Sequence, residues 1–383
     1  MPTKSGRLRI GLVLDDSLDK TDGVQQYVLT VGAWLSEQGH QVHYLVGATK
    51  RSDLKNIHSL SKNVGVRFNG NRMSIPLPTA KADLKAVAGK YKFDVLHVQM
   101  PYSPFMAARL INSIEPSTVV VGTFHIVPNS LLVSTATRIL RLLVLRSLKR
   151  FDAVLSVSRP AQLFAKSTFG IDSSILPNAF DYSAYKKALP FKKTDTTVSI
   201  LYLGRLVPRK GCMELLKAID LLAQDKRIEP FHVTICGKGP LEKELKSYVS
   251  THELTDVVTF EGYVSEEDKP RYYASTDISV FPSTGGESFG IVLIEAMANG
   301  HAVVLAADNV GYASLLESNS TLLFKANDPT SLAAKLKEFI GSNPKRKKAA
   351  AWGSVYSRNF DVQVIGPRLE AMYGKALLKR RQT

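Results

Sequence analysis

The run GGESFGIVLIEAMANG, residues 285–300, places two carboxylates, Glu287 and Glu295, among glycines and small apolar residues. It follows the strand-like stretch ISVFPS, and its second half is compatible with a helix. Glycines at such a turn let the backbone approach a ligand, and the free N–H groups at a helix start bind anions. A helix that starts near Phe289 would place Glu295 about two turns along it, roughly 9 Å from the start. The run therefore predicts an anion site with a carboxylate towards each end.

Two carboxylates spread along such a turn could accept hydrogen bonds from hydroxyls at both ends of one ligand. A sugar nucleotide has this layout, because its diphosphate lies between the sugar hydroxyls and the ribose hydroxyls. The alternative is that both glutamates are ordinary solvated residues, which is the commoner case. Since Glu295 interrupts an apolar face of the run, the sequence favours the binding interpretation.

A second motif, GRLVPRKG at residues 204–211, also follows a strand-like stretch. Its cations Arg205, Arg209 and Lys210 lie on a glycine-bounded turn, which is suited to holding a diphosphate. An ordinary basic surface turn is an equal alternative for this motif alone. The turn CGKGP, residues 236–240, matches neither a dinucleotide-binding fingerprint nor a P-loop.

The segments around these motifs alternate between apolar, β-branched runs and stretches with helical periodicity. The strand-like runs of the first half are RIGLVLDDS, QVHYLVG, FDVLHVQM, TVVVGTFHI and DAVLSVS. Such alternation is typical of a parallel sheet covered by helices on both faces. A polar stretch at 181–198 interrupts the pattern, which then restarts. Because 383 residues exceed an ordinary single core, the sequence predicts two doubly wound α/β domains in tandem.

Composition excludes several classes of protein. An apolar share of 44% and a charged share of 22% are typical of an ordered globular chain. The two cysteines, Cys212 and Cys236, have no His or Cys at metal-ligand spacing, which predicts a reduced, cytosolic protein without a metal site. The N-terminus lacks the apolar core of a signal peptide. The longest stretch without formal charge, 116–137, contains Pro, Gly and Asn, so we predict no membrane span.

The net charge of +16 is concentrated in one region. Residues 51–150 hold 15 Lys and Arg against 4 Asp and Glu, a net +11, and the remaining residues contribute +5. A basic region of this kind suits an anionic membrane, a nucleic acid or phosphorylated ligands.

Residues 131–151 can form a helix in that region. Arg138 and Arg141 fall on its basic half, and apolar residues such as Leu143 fall mostly on the other half. Lys81 and Lys85 belong to a second basic segment. We therefore expect these residues to contact an anionic membrane surface. The alternative is an ordinary domain helix with its charged face in water.

In order and spacing, GRLVPRKG, GKGP and GGESFGIVLIEAMANG resemble the donor half of retaining GT-B glycosyltransferases of family 4. The N-terminal stretches DGVQQYVLTVGAWLSEQGHQV, FDVLHVQMPYSP, VGTFHI, LSVSRP and LPNAFD also fall where that family has counterparts. Within the family, the chain most resembles the phosphatidylinositol mannosyltransferases of actinobacteria. The resemblance implies a GT-B fold, with two tandem Rossmann-like domains facing a central cleft. We expect an acceptor-binding domain at 1–183, a nucleotide-sugar-binding domain at 184–365, and a helical segment at 366–383 that packs back on the first domain.

The resemblance also implies roles for individual residues. Arg205 and Lys210 would bind the donor diphosphate and stabilise the leaving group, and Glu287 would contact the sugar hydroxyls. Glu295 would contact the ribose, and His125 would lie beside the reacting sugar. The implied catalytic residues are His125, Arg205, Lys210 and Glu287. The implied donor-binding residues are Gly23, Arg205, Arg209, Lys210, Gly262, Val264, Lys269, Gly286, Glu287, Ser288, Phe289, Gly290, Ile291 and Glu295.

The expected donor is GDP-mannose, with UDP-glucose next, and transfer would retain the anomeric configuration without a metal or other cofactor. The acceptor loop departs from the family pattern. Asp22 replaces a glycine, Asp16 replaces an aromatic residue, and Tyr102 stands where an asparagine is expected. Because a carboxylate repels a phosphate, we expect a neutral lipid hydroxyl, as in diacylglycerol or a glycosylated lipid. The implied acceptor-binding residues are Asp16, Gln25, Tyr102 and His125.

The sequence thus predicts a hexosyltransferase that acts on a membrane lipid and is peripheral on the inner face of the plasma membrane. Two alternatives remain open. A sugar-nucleotide epimerase can share the GT-B fold and needs no acceptor. A basic nucleic-acid-binding protein is less favoured, because the basic region lacks stacking aromatics, helix-turn-helix and zinc spacing.

Overall fold

The structure is a computed structural model. It describes residues 6–19, 22–68, 71–77, 79–101, 103–126, 131–191 and 197–382, and it describes side chains for all of these except 66–68, 71–75 and 131–139. The chain divides into two compact units, Met1–Phe180 with Val362–Thr383, and Asp181–Asp361. The expected boundaries followed residues 183 and 365. No helix in the described ranges has the length and hydropathy needed to cross a membrane.

The N-terminal unit alternates strands and helices along most of its length. Its elements are β1 (Arg9–Leu14), α1 (Gly23–Glu37), β2 (Gln41–Val46), β3 (Ile57–Ser59), β4 (Asn63–Phe68), β5 (Asn71–Pro76), α2 (Lys81–Tyr91), β6 (Val95–Gln99), α3 (Met106–Ile111), β7 (Val119–Phe124), α4 (Leu131–Leu148), β8 (Ala153–Ser156), α5 (Arg159–Phe164) and β9 (Ser174–Ile175). Seven strands form a parallel sheet in the order β3-β2-β1-β6-β7-β8-β9. The antiparallel pair β4–β5 stands apart from this sheet, and the alternating pattern did not predict it.

The C-terminal unit repeats this plan. Its elements are α6 (Tyr182–Lys186), β10 (Val198–Leu203), α7 (Cys212–Ala223), β11 (Phe231–Cys236), α8 (Glu242–Thr251), β12 (Val258–Gly262), α9 (Lys269–Ala274), β13 (Ile278–Phe281), α10 (Ile291–Ala298), β14 (Val303–Asp308), α11 (Val310–Leu315), β15 (Leu323–Lys325), α12 (Pro329–Ile340) and α13 (Asn343–Ser357). Its six strands are parallel in the order β12-β11-β10-β13-β14-β15. The predicted fold class, two doubly wound parallel-sheet domains, is confirmed.

Each sheet has one point at which the strand order reverses. In the N-terminal unit this switch lies between β1 and β6, and in the C-terminal unit it lies between β10 and β13. Ligands of open parallel sheets bind beyond the carboxyl ends of the strands at such a switch. The topology therefore predicts that ligands bind at the loops after these four strands.

One predicted boundary was wrong. The helix of the glutamate run starts at Ile291, because Gly290 before it has a left-handed backbone with φ 98°. Glu295 consequently lies about one turn along α10, roughly 6 Å from its start, and not two turns.

The last helix, α14 (Val362–Gln382), belongs to the core of the N-terminal unit. Its residues Ile365 and Leu369 are buried in the same apolar cluster as α1 and the sheet. The Tyr373 hydroxyl lies 2.7 Å from Nδ1 of His97 on β6. Burial lowers the pKa of His97 to about 3, so this histidine is neutral in the core.

The contact between α14 and α1 gives a stability test with an internal control. A Cβ added at Gly366 would lie 2.5 Å from the Trp34 ring, whereas a Cβ at Gly374 would meet nothing within 4 Å. We expect Gly366→Ala to lower the free energy of unfolding by about 1–3 kcal/mol, because it overpacks the contact. Gly374→Ala should leave it equal or raise it by up to about 1 kcal/mol. Denaturant unfolding measures both changes, and equal effects would contradict the packing described.

Candidate functional site

Glu287, in the loop between β13 and α10, connects the two loops at the switch point of the C-terminal unit. Its Oε1 accepts hydrogen bonds from Arg209 Nη1, Lys210 Nζ and Ser283 Oγ, each at 2.8 Å. Arg209 and Lys210 lie in the turn after β10, and Ser283 lies just beyond β13. The basic turn and the first glutamate of the sequence motif therefore form one site.

The electrostatics of this site keep Glu287 ionised. Burial raises the pKa of its carboxyl, but the cations Lys210 and Arg209 outweigh burial and lower the pKa to about 2. Burial also lowers the pKa of Lys210, against the opposing effect of Glu287, and the charges of Arg209 and Arg205 lower it further. Arg205 therefore belongs to the same cluster of charges as Arg209, Lys210 and Glu287. No described residue donates a hydrogen bond to Oε2 of Glu287, which leaves that oxygen available to the hydroxyl of a ligand.

Two glycines allow the loops of this site to pack backbone to backbone. A Cβ at Gly211, which has φ 71°, would collide with the carbonyl oxygen of Pro282. A Cβ at Gly311, in α11, would collide with the carbonyl oxygen of Glu287. Substitution at either position would push the loops apart, so the position of the Glu287 loop depends on both glycines.

Sequence reasoning missed a supporting layer around Glu287. Ser283 donates to the carboxylate, and its own carbonyl accepts a hydrogen bond from Asn309 Nδ2 at 2.9 Å. Asn309 also caps the start of α11, where its side chain accepts from the backbone N–H of Tyr312. The available signals were a serine at the end of the strand-like stretch ISVFPS and an asparagine at a helix start.

Glu295 forms a second, more deeply buried cluster. Its side chain is 1% exposed, and its Oε1 and Oε2 lie 3.2 and 3.1 Å from Lys269 Nζ. Lys269 Nζ is also 2.5 Å from Glu266 Oε2. Lys269 was predicted as a donor-binding residue, and in the structure its ammonium group lies between two carboxylates.

The other predicted donor residues surround these two clusters or lie in the other unit. Gly262 ends β12, and Val264 follows it at the carboxyl edge of the sheet. Gly286, Ser288, Phe289, Gly290 and Ile291 form the rest of the loop and the first residue of α10. Gly23 is the first residue of α1 in the N-terminal unit. Within the described ranges, no group of three or more His, Cys, Asp or Glu side chains is arranged to hold a metal ion.

In the N-terminal unit, His125 directly follows β7 and is buried. Its Nε2 lies 2.7 Å from Gln99 Oε1, and its ring meets the Tyr27 ring edge-on at 5.1 Å. Burial lowers the pKa of His125 to about 3, although its hydrogen bond with Asn178 opposes the shift. The imidazole is therefore neutral near pH 7.

The acidic loop after β1 is held in place by its own side chains. Asp15 is buried and accepts hydrogen bonds from Ser103 Oγ and from the Ala107 N–H at 2.8 Å. Asp16 is also buried, and its Oδ1 accepts from the Ser17 N–H at 2.7 Å. Burial, opposed by the bonds from Ser103 and Ala107, raises the pKa of Asp15 to about 7. The loop after β1 therefore carries carboxylic groups, whereas the corresponding loop after β10 in the other unit carries cations.

The remaining predicted residues lie on several elements. Gln25, in α1, donates to the Ser17 carbonyl at 3.3 Å. Tyr102 lies outside the described residues, and so does the side chain of Arg138. Lys81 and Lys85 are exposed on α2, and Arg141 is exposed on α4.

The exposure of α4 bears on its predicted membrane contact. Leu143 was expected on the face opposite the cations; its side chain is 69% exposed, and that of Leu142 is 68% exposed. Among residues 140–148, the part of α4 with described side chains, only Val144 and Ser147 are buried.

The raised pKa of Asp15 predicts a pH-dependent stability. Below pH 3.8 the group is protonated in both states, whereas between pH 3.8 and about 7 the unfolded chain loses the proton first. The wild-type protein should therefore lose up to about 4 kcal/mol of stability, relative to Asp15→Asn, as the pH rises through this window. Denaturant unfolding of both proteins from pH 4 to 8 measures the difference. Asp172→Asn, at an exposed carboxylate, controls for the lost charge, and a difference between the wild type and Asp15→Asn that stays constant from pH 4 to 8 would contradict the prediction.

Two family descriptions match consecutive parts of the chain. "Glycosyltransferase Family 4" matches residues 21–184, and "Glycosyl transferases group 1" matches residues 184–353. Together with the two switch-point sites, they define a two-domain glycosyltransferase of the GT-B fold.

Curated relatives extend this match over the full chain. Phosphatidyl-myo-inositol mannosyltransferase of Propionibacterium freudenreichii is 30% identical over 382 residues, which cover 96% of this chain and 94% of the relative. The enzyme of that name from Mycolicibacterium smegmatis is 30% identical over 377 residues, covering 96% and 93%. The enzyme from Mycobacterium tuberculosis is 29% identical over 382 residues, covering 96% of each chain. The chain belongs to glycosyltransferase family 4, as predicted.

Solved structures agree on the fold. A glycosyltransferase from Rickettsia africae superposes with a TM-score of 0.77 at 18% identity, covering 97% of this chain and 99% of that one. Sucrose-phosphate synthase from Thermosynechococcus elongatus gives 0.75 at 20% identity, covering 97% and 100%. The Anabaena protein HepE, in complex with UDP and glucose, gives 0.74 at 17% identity, covering 96% and 100%. At these identities the likeness shows the fold alone.

Proposed function

We propose that the protein transfers a hexose from a nucleotide sugar to a hydroxyl of a membrane lipid, with retention of configuration and without a metal ion. The observation that carries the proposal is the Glu287 site, where three cations and one carboxylate meet at a switch point. Mannose from GDP-mannose is the favoured donor sugar, because the full-length relatives are named mannosyltransferases. Glucose from UDP-glucose is the next candidate.

The charges of the site match those of a sugar nucleotide. Arg205, Arg209 and Lys210 exceed Glu287 by two positive charges, and the diphosphate of a sugar nucleotide carries about two negative charges. When the bond between the sugar and the phosphate breaks, the leaving diphosphate gains a further charge, which the same cations stabilise. These side chains thus supply the positive charge that a metal ion supplies in other transferases.

Glu287 suits the role of a hydrogen-bond acceptor for the sugar. Its pKa of about 2 keeps it ionised, so it is poorly suited to exchanging protons with the substrate near pH 7. Three donors fix Oε1, and Oε2 would accept a hydroxyl of the transferred sugar. Glu295 would accept the ribose hydroxyls. The acceptor oxygen would attack the sugar from the side that the phosphate leaves, and a phosphate oxygen would take the acceptor proton.

The loop after β1 favours a neutral acceptor. Asp15 and Asp16 are both buried at the carboxyl edge of β1, where a phosphate group would meet two acidic groups. The relatives are named for phosphatidyl-myo-inositol, whose headgroup carries a phosphate. We therefore propose diacylglycerol or a neutral glycolipid as the acceptor of this chain.

The test is mass spectrometry of products from the purified protein, using GDP-mannose and UDP-glucose against diacylglycerol, a neutral glycolipid and phosphatidylinositol. We expect a hexose adduct on a neutral lipid. Glu287→Gln should lower turnover by about 100-fold, because it weakens both the contact with the sugar and the ion pairs that position Arg209 and Lys210. Glu338→Gln, at an exposed glutamate that pairs with Lys335 and Lys345, should keep its activity.

Each alternative has its own outcome in this experiment. Efficient transfer to phosphatidylinositol, with diacylglycerol ignored, would overturn the neutral acceptor. Turnover of the donor to an epimer without any acceptor would indicate an epimerase. Salt-sensitive binding of DNA or RNA, unaffected by sugar nucleotides, would favour the nucleic-acid alternative.

We further propose that the protein is peripheral on the inner face of the plasma membrane, held there by α2 and α4. The exposed Leu142 and Leu143 lie beside the exposed Arg141 and Arg146 on α4. Leucines can enter the acyl boundary of a bilayer while arginines contact anionic headgroups. The exposed Lys81 and Lys85 of α2 would add electrostatic attraction.

Vesicle co-sedimentation tests this surface. Replacing both Leu142 and Leu143 with Ser should weaken binding to anionic vesicles by about 10- to 100-fold, because two exposed leucines lose their burial in the bilayer. Replacing Leu163 and Leu221, two other exposed leucines, with Ser is the matched control and should have little effect. The lysines are tested separately. The double variant Lys81→Gln, Lys85→Gln should reduce the salt dependence of vesicle binding. Unchanged binding in both experiments would refute the proposed membrane contact of α2 and α4.

A further inference from the structure

Lys269 is the first residue of α9 and is almost fully buried, with 4% of its surface exposed. Its ammonium group lies 2.5 Å from Glu266 Oε2 and 3.1 Å from Glu295 Oε2. Glu266 lies in the turn before α9, and Glu295 lies in α10. A single buried cation thus balances two carboxylates from different segments.

The titratable groups that face Glu295 come from three segments. They are Lys269 and Tyr273 of α9, Glu266 in the preceding turn and Tyr185 of α6. Tyr185 forms a hydrogen bond with the carboxylate, and its ring lies 5.9 Å from Lys269 Nζ. Lys269 is the single cation among the described ion pairs of Glu295. The Oε2 of Glu295 is buried and lies 3.1 Å from Lys269 Nζ, so Lys269 is the described cation that faces it.

A buried carboxylate takes up a proton unless a nearby cation opposes it. Burial raises the pKa of Glu295, and Lys269 acts against that shift, while Glu266 adds to it. Burial alone would lower the pKa of Lys269, but Glu295 and Glu266 outweigh burial and raise it. Removing Lys269 would therefore leave two carboxylates together with no compensating charge, and Glu295 would be protonated at higher pH than before.

We propose that Lys269 is a positioning residue for the nucleotide: it compensates the charge of Glu295 and fixes its carboxylate to accept the ribose hydroxyls, without itself contacting the donor. The inference rests on the proposed nucleotide-sugar function. It assigns to Lys269 a role through Glu295 in place of the direct donor contact that the resemblance implies.

The experiment is calorimetric titration of the purified protein with GDP, and with UDP in a parallel series, between pH 6 and 8.5. For Lys269→Met we expect affinity for the bound nucleotide to fall by about 10- to 100-fold at pH 6. Much of it should return at pH 8.5, as Glu295 ionises. The wild-type protein should change by less than about threefold over this range, and Lys269→Arg, which keeps the charge, should lie between the two.

A double variant keeps the test valid even if Lys269→Met folds poorly. Lys269→Met combined with Glu295→Gln removes both charges, so no uncompensated pair is left in the core. Its affinity should equal that of Glu295→Gln alone within about threefold, at every pH. A further loss in the double variant would show that Lys269 acts on the nucleotide directly, and would overturn the proposal.

Two more variants complete the controls. Glu266→Gln leaves Lys269 with Glu295 alone and should keep affinity within about threefold of the wild type. Lys335→Met breaks an exposed pair with Glu338 at the same three-residue spacing and should change nothing. A loss in Lys269→Met that is equal at all pH values would overturn the proposal. If neither nucleotide binds the wild-type protein, the proposed function itself fails, which is a distinct result.

Discussion

The ion pairs of Glu287 are the constraint on which the candidate donor site depends. A buried carboxylate without cations would cost several kcal/mol, and two buried cations without a carboxylate would be equally unfavourable. The loops after β10 and β13 can therefore pack closely only when Arg209, Lys210 and Glu287 meet. Gly211 and Gly311 remove the Cβ atoms that would keep these loops apart. Because the same contacts place cations and a carboxylate oxygen at the switch point, the site is organised before any ligand arrives.

Most of the fold could be predicted from periodicity, because strands buried on both faces are apolar runs and their helices have a distinct 3.6-residue pattern. Two features were missed. The β4–β5 pair could have been found from the sequence, because its two six-residue strands flank Asn69-Gly70, a strong signal for a two-residue hairpin turn. The helix α10 starts two residues later than expected because Gly290 adopts a left-handed backbone that composition does not reveal. The exposure of Leu143 on α4 depends on which neighbours the helix packs against, which is tertiary information.

The sequence motifs named residues that meet in the candidate site, but they did not show which of these residues bond to each other. The motif showed that Glu287 and Arg209 belong to the same chemistry, since glycine-bounded turns with charges after strands are typical of phosphate sites. It did not show that they bond to each other, since they lie 78 positions apart in the sequence. The resemblance implied that Lys269 binds the donor, but its pairing with Glu295 depends on how α9 packs on α10. Ser283 and Asn309 were missed because a single serine or asparagine near a strand or helix end usually has only a local role.

Charge distinguishes two units that share one topology. In each sheet, the next two strands in sequence are added on one side of the first strand, and the later strands are added on its other side. Both units therefore have a switch point beside their first strand. The C-terminal switch point holds Arg205, Arg209 and Lys210 against one carboxylate, and it suits a diphosphate. The N-terminal switch point holds Asp15 and Asp16, whose burial makes added negative charge unfavourable. Topology therefore fixes where each unit offers a ligand site, and in the proposed function a few charged side chains after the first strand favour the C-terminal unit for the anionic substrate.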